Sequence, residues 1–180
     1  MRVTGGWPKA TSIRKEWKPV PRGATVPDVA FPLEEIQTAF DRYRAAAAEA
    51  GRTGNWELFV DCFTDDVNYV EHHYGTFKGR AEVRDWIVPA MTAFPVDHMT
   101  SFPWNWYTID ADRGWVVGEV ANVMDDPGDG QRYEAANWTR LVYAGGGLFS
   151  EEEDVYNPKE FADMMRSWLT AWRAHQTRED

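Results

Sequence analysis

The spacing of apolar residues changes along the chain from a helical repeat to the alternation of strands. Apolar side chains recur every three or four positions from Leu33 onward. This spacing predicts a first helix that Gly51 ends and a short second helix before Phe63. A strand over residues 67–72 and a third helix over residues 83–91 are expected next.

From residue 101 onward strands predominate. Apolar and aromatic residues alternate with polar ones, and groups of turn-forming residues, such as the glycines at 145–147, separate the segments. The strands predicted in this way cover residues 101–109, 115–124, 133–143 and 148–156, and a final helix begins at Pro158. Helices around one strand, then a four-stranded meander, predict an α+β fold.

The first 32 residues differ from the remainder in composition. They contain five prolines and three glycines, which disfavour regular structure, and six basic residues against two acidic ones. The remainder then holds 13 basic and 27 acidic residues. We expect an extended basic arm at residues 1–32 laid across a folded surface, a domain at residues 33–158, and a C-terminal helix at residues 159–180 packed on it.

The overall composition excludes several classes of partner. A net charge of −10 argues against a nucleic-acid partner. No apolar run is long enough to cross a membrane, and the start lacks the apolar centre of a signal peptide. One cysteine, Cys62, allows no intramolecular disulfide and lies in an apolar stretch that predicts core. We therefore expect a cytoplasmic protein.

No cofactor or metal is expected. The four histidines lack the spacing of a metal site, and no glycine-rich phosphate loop or dinucleotide-binding motif occurs. Aromatic residues make up 14% of the chain, with ten tryptophans, which suits either a core or the walls of an apolar pocket.

Several stretches resemble the SnoaL-like domains of the nuclear transport factor 2-like family. They are Gly-Asn-Trp at residues 54–56 with Phe-Thr-Asp-Asp-Val at 63–67, Tyr-Val-Glu-His at 69–72, Phe-Lys-Gly-Arg at 77–80, and the turn and acidic runs at 125–130 and 151–158. The resemblance implies a strongly bent antiparallel or mixed sheet, with helices that form a cone around a pocket, and commonly a homodimer. Relatives include ketosteroid isomerases, polyketide cyclases, limonene-epoxide hydrolases, dehydratases and binding proteins without chemistry.

Strand alternation divides the first strand into two sets that face opposite ways: Asn68, Val70 and His72, or Val67, Tyr69 and Glu71. Hydrophobicity alone does not choose between them. Ketosteroid isomerases place their general base at the position that matches His72, so the resemblance implies that the first set faces the pocket. An imidazole there could move a proton near neutral pH.

Four consecutive acidic residues occupy the last strand. Strand alternation places Glu152, Asp154 and Tyr156 on one face, and the resemblance matches Asp154 to a catalytic carboxylate of the epoxide hydrolases. Burial would raise the pKa of the Asp154 carboxyl and make it a candidate acid or base. The alternative is that the acidic run only solvates a sheet edge.

The central strands supply polar side chains but not a complete known site. Asn122, Asn137 and Thr139 are expected on the concave face, where an amide could donate to an oxyanion. The Arg and second Asp of the epoxide hydrolases correspond to Val120 and Asn122, which disfavours epoxide hydrolysis. The resemblance places Thr139 near the position where the isomerases have a protonated Asp. A hydroxyl is a weaker donor than that group, which disfavours the isomerase reaction.

The resemblance also singles out the segment before the aromatic strand. Some dehydratases of the family carry a catalytic His in the region of His98, with an Asp partner on the first helix. Arg52 occupies the place of that Asp, so the pair is incomplete. A His at such a junction is more often structural.

These observations predict a small-molecule pocket protein, a cofactor-independent acid/base enzyme of the isomerase, cyclase or dehydratase class acting on an apolar or polycyclic substrate. A non-catalytic ligand-binding or carrier domain is the alternative, followed by a protein-interaction module. The predicted catalytic pair is His72 and Asp154. The predicted substrate contacts are Tyr43, Asn68, Val70, His98, Asn122, Asn137, Thr139, Glu152 and Tyr156. The predicted partners are a small hydrophobic molecule and a second copy of the chain, which Trp138, Arg140 and Val142 would contact.

Overall fold

The computed structural model describes residues 31–176. The predicted basic arm therefore lies outside the described residues, apart from its last two positions. The elements in chain order are α1 (Leu33–Thr53), α2 (Glu57–Val60), β1 (Phe63–Glu71), β2 (Gly75–Lys78), α3 (Arg80–Met91), a 3₁₀ turn (Val96–His98), β3 (Met99–Ser101), β4 (Trp104–Asp110), β5 (Trp115–Met124), β6 (Glu134–Gly145), β7 (Leu148–Val155) and α4 (Pro158–Gln176). The α+β expectation is confirmed.

The described strands form one curved, mixed sheet. Along the sheet they follow the order β2, β1, β7, β6, β5, β3, and β4 pairs with β5 as well. Only the β1–β7 pair is parallel, whereas the other strand pairs are antiparallel. A break at residues 102–103 separates β3 from β4, so the single strand predicted there is two strands. The expected strongly bent mixed sheet is therefore present.

Helix α1 lies against the concave face of the sheet because its apolar residues repeat at helical spacing. Ile36, Phe40 and Tyr43 are buried on this face. Gly54 ends the helix with a left-handed φ of 74°, and its N–H donates to the Ala50 carbonyl over 2.7 Å. The helix thus forms one wall of the space that the concave face of the sheet encloses.

Two apolar clusters form the core. The first joins α1, α2 and α3 to the strands and includes Cys62, which is 2% exposed, as its apolar neighbours predicted. The second holds α4 against β3 and the far end of β5, through residues such as Met99, Met165 and Trp168. The space between the two clusters is where the candidate site lies.

Within residues 31–176, none of the helices combines the length and the apolar character needed to span a membrane.

Strand β2 is a feature that the sequence pattern did not predict. That pattern predicts no element between residue 72 and the third helix, yet residues 75–78 pair with β1, with Glu71 opposite Gly75 and Asn68 opposite Lys78. The segment is too short for apolar alternation to show. It forms the edge of the sheet beside β1.

Candidate functional site

A cavity opens between the helices and the concave face of the sheet. Its volume is about 160 Å³, and the empty space including the open mouth is about 930 Å³. Most of its walls are aromatic or aliphatic: Ala47, Trp56, Phe59, Trp86, Ile87, Ala90, Met91, Val96, Met99, Phe102, Trp104, Val120 and Phe161. The polar lining consists of Tyr43, Tyr69, Glu71, Tyr74, Asn122, Asn137, Thr139, Glu152, Asp154 and Tyr156. An apolar cavity with a few converging polar groups is the usual form of a small-molecule site.

The strand register brings the acidic groups together. In the β1–β7 pair, Tyr69 stands opposite Glu152 and Glu71 opposite Asp154. In the β6–β7 pair, Thr139 stands opposite Asp154. Directly paired residues of neighbouring strands project to the same face of a sheet. All five side chains therefore point into the cavity.

Asp154 is held by three hydrogen bonds. Its Oδ1 accepts from Thr139 Oγ1 at 2.5 Å and from Asn137 Nδ2 at 2.8 Å, and its Oδ2 accepts from the Tyr69 hydroxyl at 2.7 Å. Asn122 extends this network, because its Nδ2 donates to Asn137 Oδ1 over 2.6 Å. The carboxyl group thus has a fixed orientation at the cavity floor.

Burial raises the pKa of the Asp154 carboxyl to about 6. The hydrogen bonds from Thr139 and Tyr69 oppose this shift, and the charge of Glu71 adds to it. An Asp with such a pKa changes protonation close to neutral pH. This is the property that a general acid or base requires.

Glu152, two positions before Asp154, is 2% exposed. Its Oε1 accepts from the hydroxyl of Tyr43 at 2.9 Å and lies 2.8 Å from the hydroxyl of Tyr69, whose single proton is shared with Asp154. Its buried Oε2 has no hydrogen-bond partner among the described residues. Burial, and next the charge of Asp154, raise the pKa of the Glu152 carboxyl well above its usual value. The charge of Asp154 thus favours the protonated form of Glu152.

Glu71 is a third carboxyl group of the cavity and, like Glu152, is buried, with 4% of its surface exposed. Its Oε2 accepts the backbone N–H of His73 at 2.8 Å and that of Tyr74. The Tyr156 hydroxyl also bonds to this carboxylate, and burial followed by this bond raises the pKa of Tyr156. The pKa of Tyr74 is raised by burial and then by the Glu71 charge.

The inward set predicted for the first strand is wrong. His72 Nε2 lies 2.9 Å from Glu153 Oε1 on the convex face of the sheet, while Asp154 faces the cavity. Asn68 and Val70 also face outward, opposite Glu151 and Glu153 of β7.

The set that the sequence left open, Val67, Tyr69 and Glu71, is the buried one. The physical reason is the register of β1 on β7, which places Tyr69 opposite Glu152 and Glu71 opposite Asp154. Because each set contains a valine, the apolar alternation of β1 did not distinguish them. The resemblance to the isomerases implied the wrong set.

The prediction that His98 contacts substrate is also wrong. Its Nδ1 lies 2.8 Å from Asp125 Oδ2, and its ring packs on Trp168 with centroids 4.6 Å apart. The 3₁₀ turn before β3 directs the ring toward α4 instead of the cavity. His98 therefore supports the second apolar cluster.

The other predicted contacts do line the cavity: Tyr43, Asn122, Asn137, Thr139, Glu152, Asp154 and Tyr156. Their chemical roles stay predictions. Sequence reasoning did not select Tyr74 or Trp86, which come from the loop after β1 and from α3.

The electrostatic character of the cavity is one-sided. Three carboxyl groups line it, and no Lys, Arg or His is among the described lining residues. Within residues 31–176, no group of three or more His, Cys, Asp and Glu side chains is arranged to hold a metal ion. The chemistry available from these residues is proton transfer and hydrogen bonding.

Comparison with known proteins identifies relatives by family and by fold. A family model for the SnoaL-like domain matches residues 40–151. No curated protein sequence matches the chain.

Several solved structures share the fold at low sequence identity. An LEH-like epoxide hydrolase from M. tuberculosis is 12% identical, with a TM-score of 0.57 over 78% of this chain and 96% of that one. An NTF2-like protein from Anabaena variabilis is 13% identical, with a TM-score of 0.54 over 72% and 94%. A de novo designed protein with a curved β-sheet is 14% identical, with a TM-score of 0.52 over 78% and 98%. Since a designed protein matches almost as well as an enzyme, the shared fold carries no information about activity.

Proposed function

The chain belongs to the family of SnoaL-like domains, and from this premise we propose that it is a cofactor-independent enzyme that transfers protons on a small apolar substrate. The reaction belongs to the isomerase, cyclase or dehydratase class. The observation that carries the proposal is the carboxyl pair at the cavity floor. Asp154 has a pKa of about 6, and burial together with the charge of Asp154 raises the pKa of Glu152 well above its usual value. Two neighbouring acids with separated pKa values provide a base and a proton donor in one site.

Asp154 acts as the base in this proposal. Its carboxylate removes a proton from a substrate carbon next to a carbonyl, which gives a neutral Asp154 and an enolate. The same proton then returns to a different substrate atom, so the enzyme ends unchanged. Thr139 and Asn137 hold the carboxyl in place throughout.

Glu152 acts as the donor. Its proton moves toward the developing negative charge on the substrate oxygen and returns to Glu152 when the carbonyl group re-forms. The hydroxyls of Tyr43 and Tyr69 lie 2.9 Å and 2.8 Å from Oε1 and stabilise the carboxylate that exists in between. The aromatic walls exclude water and so strengthen these interactions.

The cavity limits the size of the substrate. Its volume of about 160 Å³ is close to that of an apolar cavity of ~150 Å³ that admits benzene. A substrate of one or two rings fits inside, and a larger polycyclic one must extend through the mouth.

Deuterium exchange tests the proposal without knowledge of the natural substrate. Cyclic β,γ-unsaturated ketones of one or two rings are incubated with the protein in D₂O, and NMR follows deuterium entry beside the carbonyl. We expect exchange above the buffer rate, and Asp154→Asn should lower it at least about 10²-fold, the usual contribution of a general base. His72→Ala, on the convex face, is the control and should keep the rate.

Two results contradict the proposal. One is equal exchange by the wild type and the Asp154→Asn variant. The other is saturable binding of the ketones, seen by ligand-observed NMR, without exchange of any of them. The second result favours a ligand-binding or carrier role for the same cavity.

A further inference from the structure

Glu71 is a buried carboxylate that proton transfer by Asp154 and Glu152 does not use. It lies at the end of β1 and lines the same cavity, opposite Asp154 in the strand register. The backbone N–H groups of residues 73 and 74 fix its orientation. Such a firmly held group at a cavity wall needs a physical reason.

Aromatic rings surround this carboxylate. Tyr74 and Tyr156 bond to it or lie beside it, and both line the cavity. Trp86 continues the wall, with its ring centroid 5.8 Å from that of Tyr74 and 5.4 Å from that of Tyr69. The site therefore combines one fixed carboxylate with neighbouring aromatic rings.

No positive charge of the described lining balances these acids. Amide and hydroxyl donors solvate a carboxylate, but they leave its net charge in place. A buried charge without a counter-charge is costly. In addition, the buried Oε2 of Glu152 receives no hydrogen bond from any described residue. The cavity thus has negative charge without a counter-charge, and it disfavours carboxylate or phosphate ligands.

We propose that Glu71, with the rings of Tyr74 and Trp86, binds an ammonium group of the substrate. An organic cation supplies the missing counter-charge and is attracted by the faces of aromatic rings. The substrate class is then a small hydrophobic amine, with its ammonium group at Glu71 and its reacting carbon near Asp154. This inference rests on the proposed function only in taking the same cavity as the substrate site.

A matched pair of probes tests this assignment by binding alone. Benzyltrimethylammonium carries a charge that does not titrate, and neopentylbenzene has the same shape without the charge. Dissociation constants come from ligand-observed NMR at pH 7.5 and low salt. We expect the cation to bind at least about tenfold tighter than the neutral probe, in line with a desolvated cation–π contact beside a carboxylate. Phenylacetate should not bind.

Variants then locate the preference. Glu71→Gln keeps acceptor atoms for the backbone N–H groups but removes the charge, so the tenfold preference should fall to about one while the neutral probe binds as before. Glu151→Gln removes one charge from the convex face and should keep the preference. Glu71→Asp keeps the charge and should retain most of the tenfold preference, so it serves as a second variant if Glu71→Gln fails to fold.

Three outcomes overturn the inference: failure of the cation to bind, equal binding of both probes, and a preference that survives Glu71→Gln. The proposed function fails in a different experiment. Asp154-dependent exchange of neutral ketones without any cation preference would leave the enzyme proposal standing and remove the ammonium subsite. A cation preference without exchange of any ketone would support the ammonium subsite and remove the enzyme proposal.

Discussion

At the scale of single residues, the environment makes two similar carboxyl groups chemically different. Glu152 and Asp154 are two positions apart on β7 and share the Tyr69 hydroxyl. Asp154 has two further donors, Thr139 and Asn137, which lower the cost of its charge. Glu152 has only tyrosine hydroxyls and lies next to the charge of Asp154. The pKa of Asp154 is about 6, and its charge favours the protonated form of Glu152.

The raised pKa of Asp154 predicts a pH-dependent cost in stability. Its folded pKa of about 6 lies above the ordinary 3.8, so the contribution of Asp154 to folding is fully present below pH 4. It is lost as the pH rises through 6, for a total of about 3 kcal/mol at ~1.36 kcal/mol per pH unit. At pH 7 Asp154→Asn should therefore be more stable than the wild type by up to about 3 kcal/mol, although it lacks proton transfer.

Urea denaturation at several pH values measures this difference. The gain of Asp154→Asn should vanish at pH 4, where the wild-type carboxyl is protonated as well. Glu151→Gln, at a half-buried position on the convex face of the same strand, should show no such change between pH 4 and 7. A gain that is the same at both pH values would mean that charge burial is not its cause.

At the scale of elements, close approach of β4 to β5 shapes one cavity wall. A Cβ added at Gly118 would lie 2.3 Å from the Trp106 carbonyl oxygen and 2.8 Å from the Trp104 ring. Because the nearest atom is backbone, rotation of a side chain cannot relieve the overlap. Gly118→Ala must therefore push the two strands apart and displace the Trp104 wall.

We expect Gly118→Ala to lower the free energy of unfolding by at least about 2 kcal/mol, the scale of overpacking in a core. It should also weaken binding of the benzyl probes. Val117→Ala, on the opposite face of the same strand, serves as the control and should leave probe affinity unchanged. Wild-type stability together with wild-type affinity in Gly118→Ala would show that β4 and β5 separate at no cost.

The order of elements was readable from the sequence, but the face of β1 and a bulge in β7 were not. The helical spacing of apolar residues from Leu33 and their alternation from residue 101 predicted most helices and strands, because long periodic segments carry strong signals. Both Phe149 and Glu152 of β7 are buried, three positions apart. A register shift beside Ser150 allows this. Such a bulge reverses the alternation and leaves little trace in the sequence.

For the candidate site, the sequence predicted the residues of β5, β6 and β7 better than those of β1. Asn122, Asn137 and Thr139 needed only strand alternation to be placed on the concave face. The face of β1 depends on its parallel pairing with β7, a contact between segments about 80 residues apart. No local pattern contains that register, so the choice between His72 and Glu71 required the structure.

At the scale of the whole molecule, the convex face of the sheet exposes large aromatic residues. Trp138 is 56% exposed and Trp106 is 42% exposed, with ring centroids 5.4 Å apart. Arg140 lies beyond them, with Glu151 and Glu153 at 3.2 Å and 3.1 Å. An aromatic centre with a polar and charged surround is the composition of a protein–protein interface.

We expect this face to join two copies of the chain in a symmetric dimer. Contact between two such faces would bury both tryptophans. Truncation of a tryptophan at the centre of an interface typically costs ~2 kcal/mol of binding free energy. Trp138→Ala should therefore lower the sedimenting mass from that of a dimer toward the 20.7 kDa of one chain. Phe94→Ala removes a ring that is 52% exposed beside α4 and should not change the mass.

Because the cavity lies on the opposite face of the sheet, Trp138→Ala should also leave the affinity for the benzyl probes as it is in the wild type. A wild-type particle of 20.7 kDa at micromolar concentration and physiological salt would contradict the dimer.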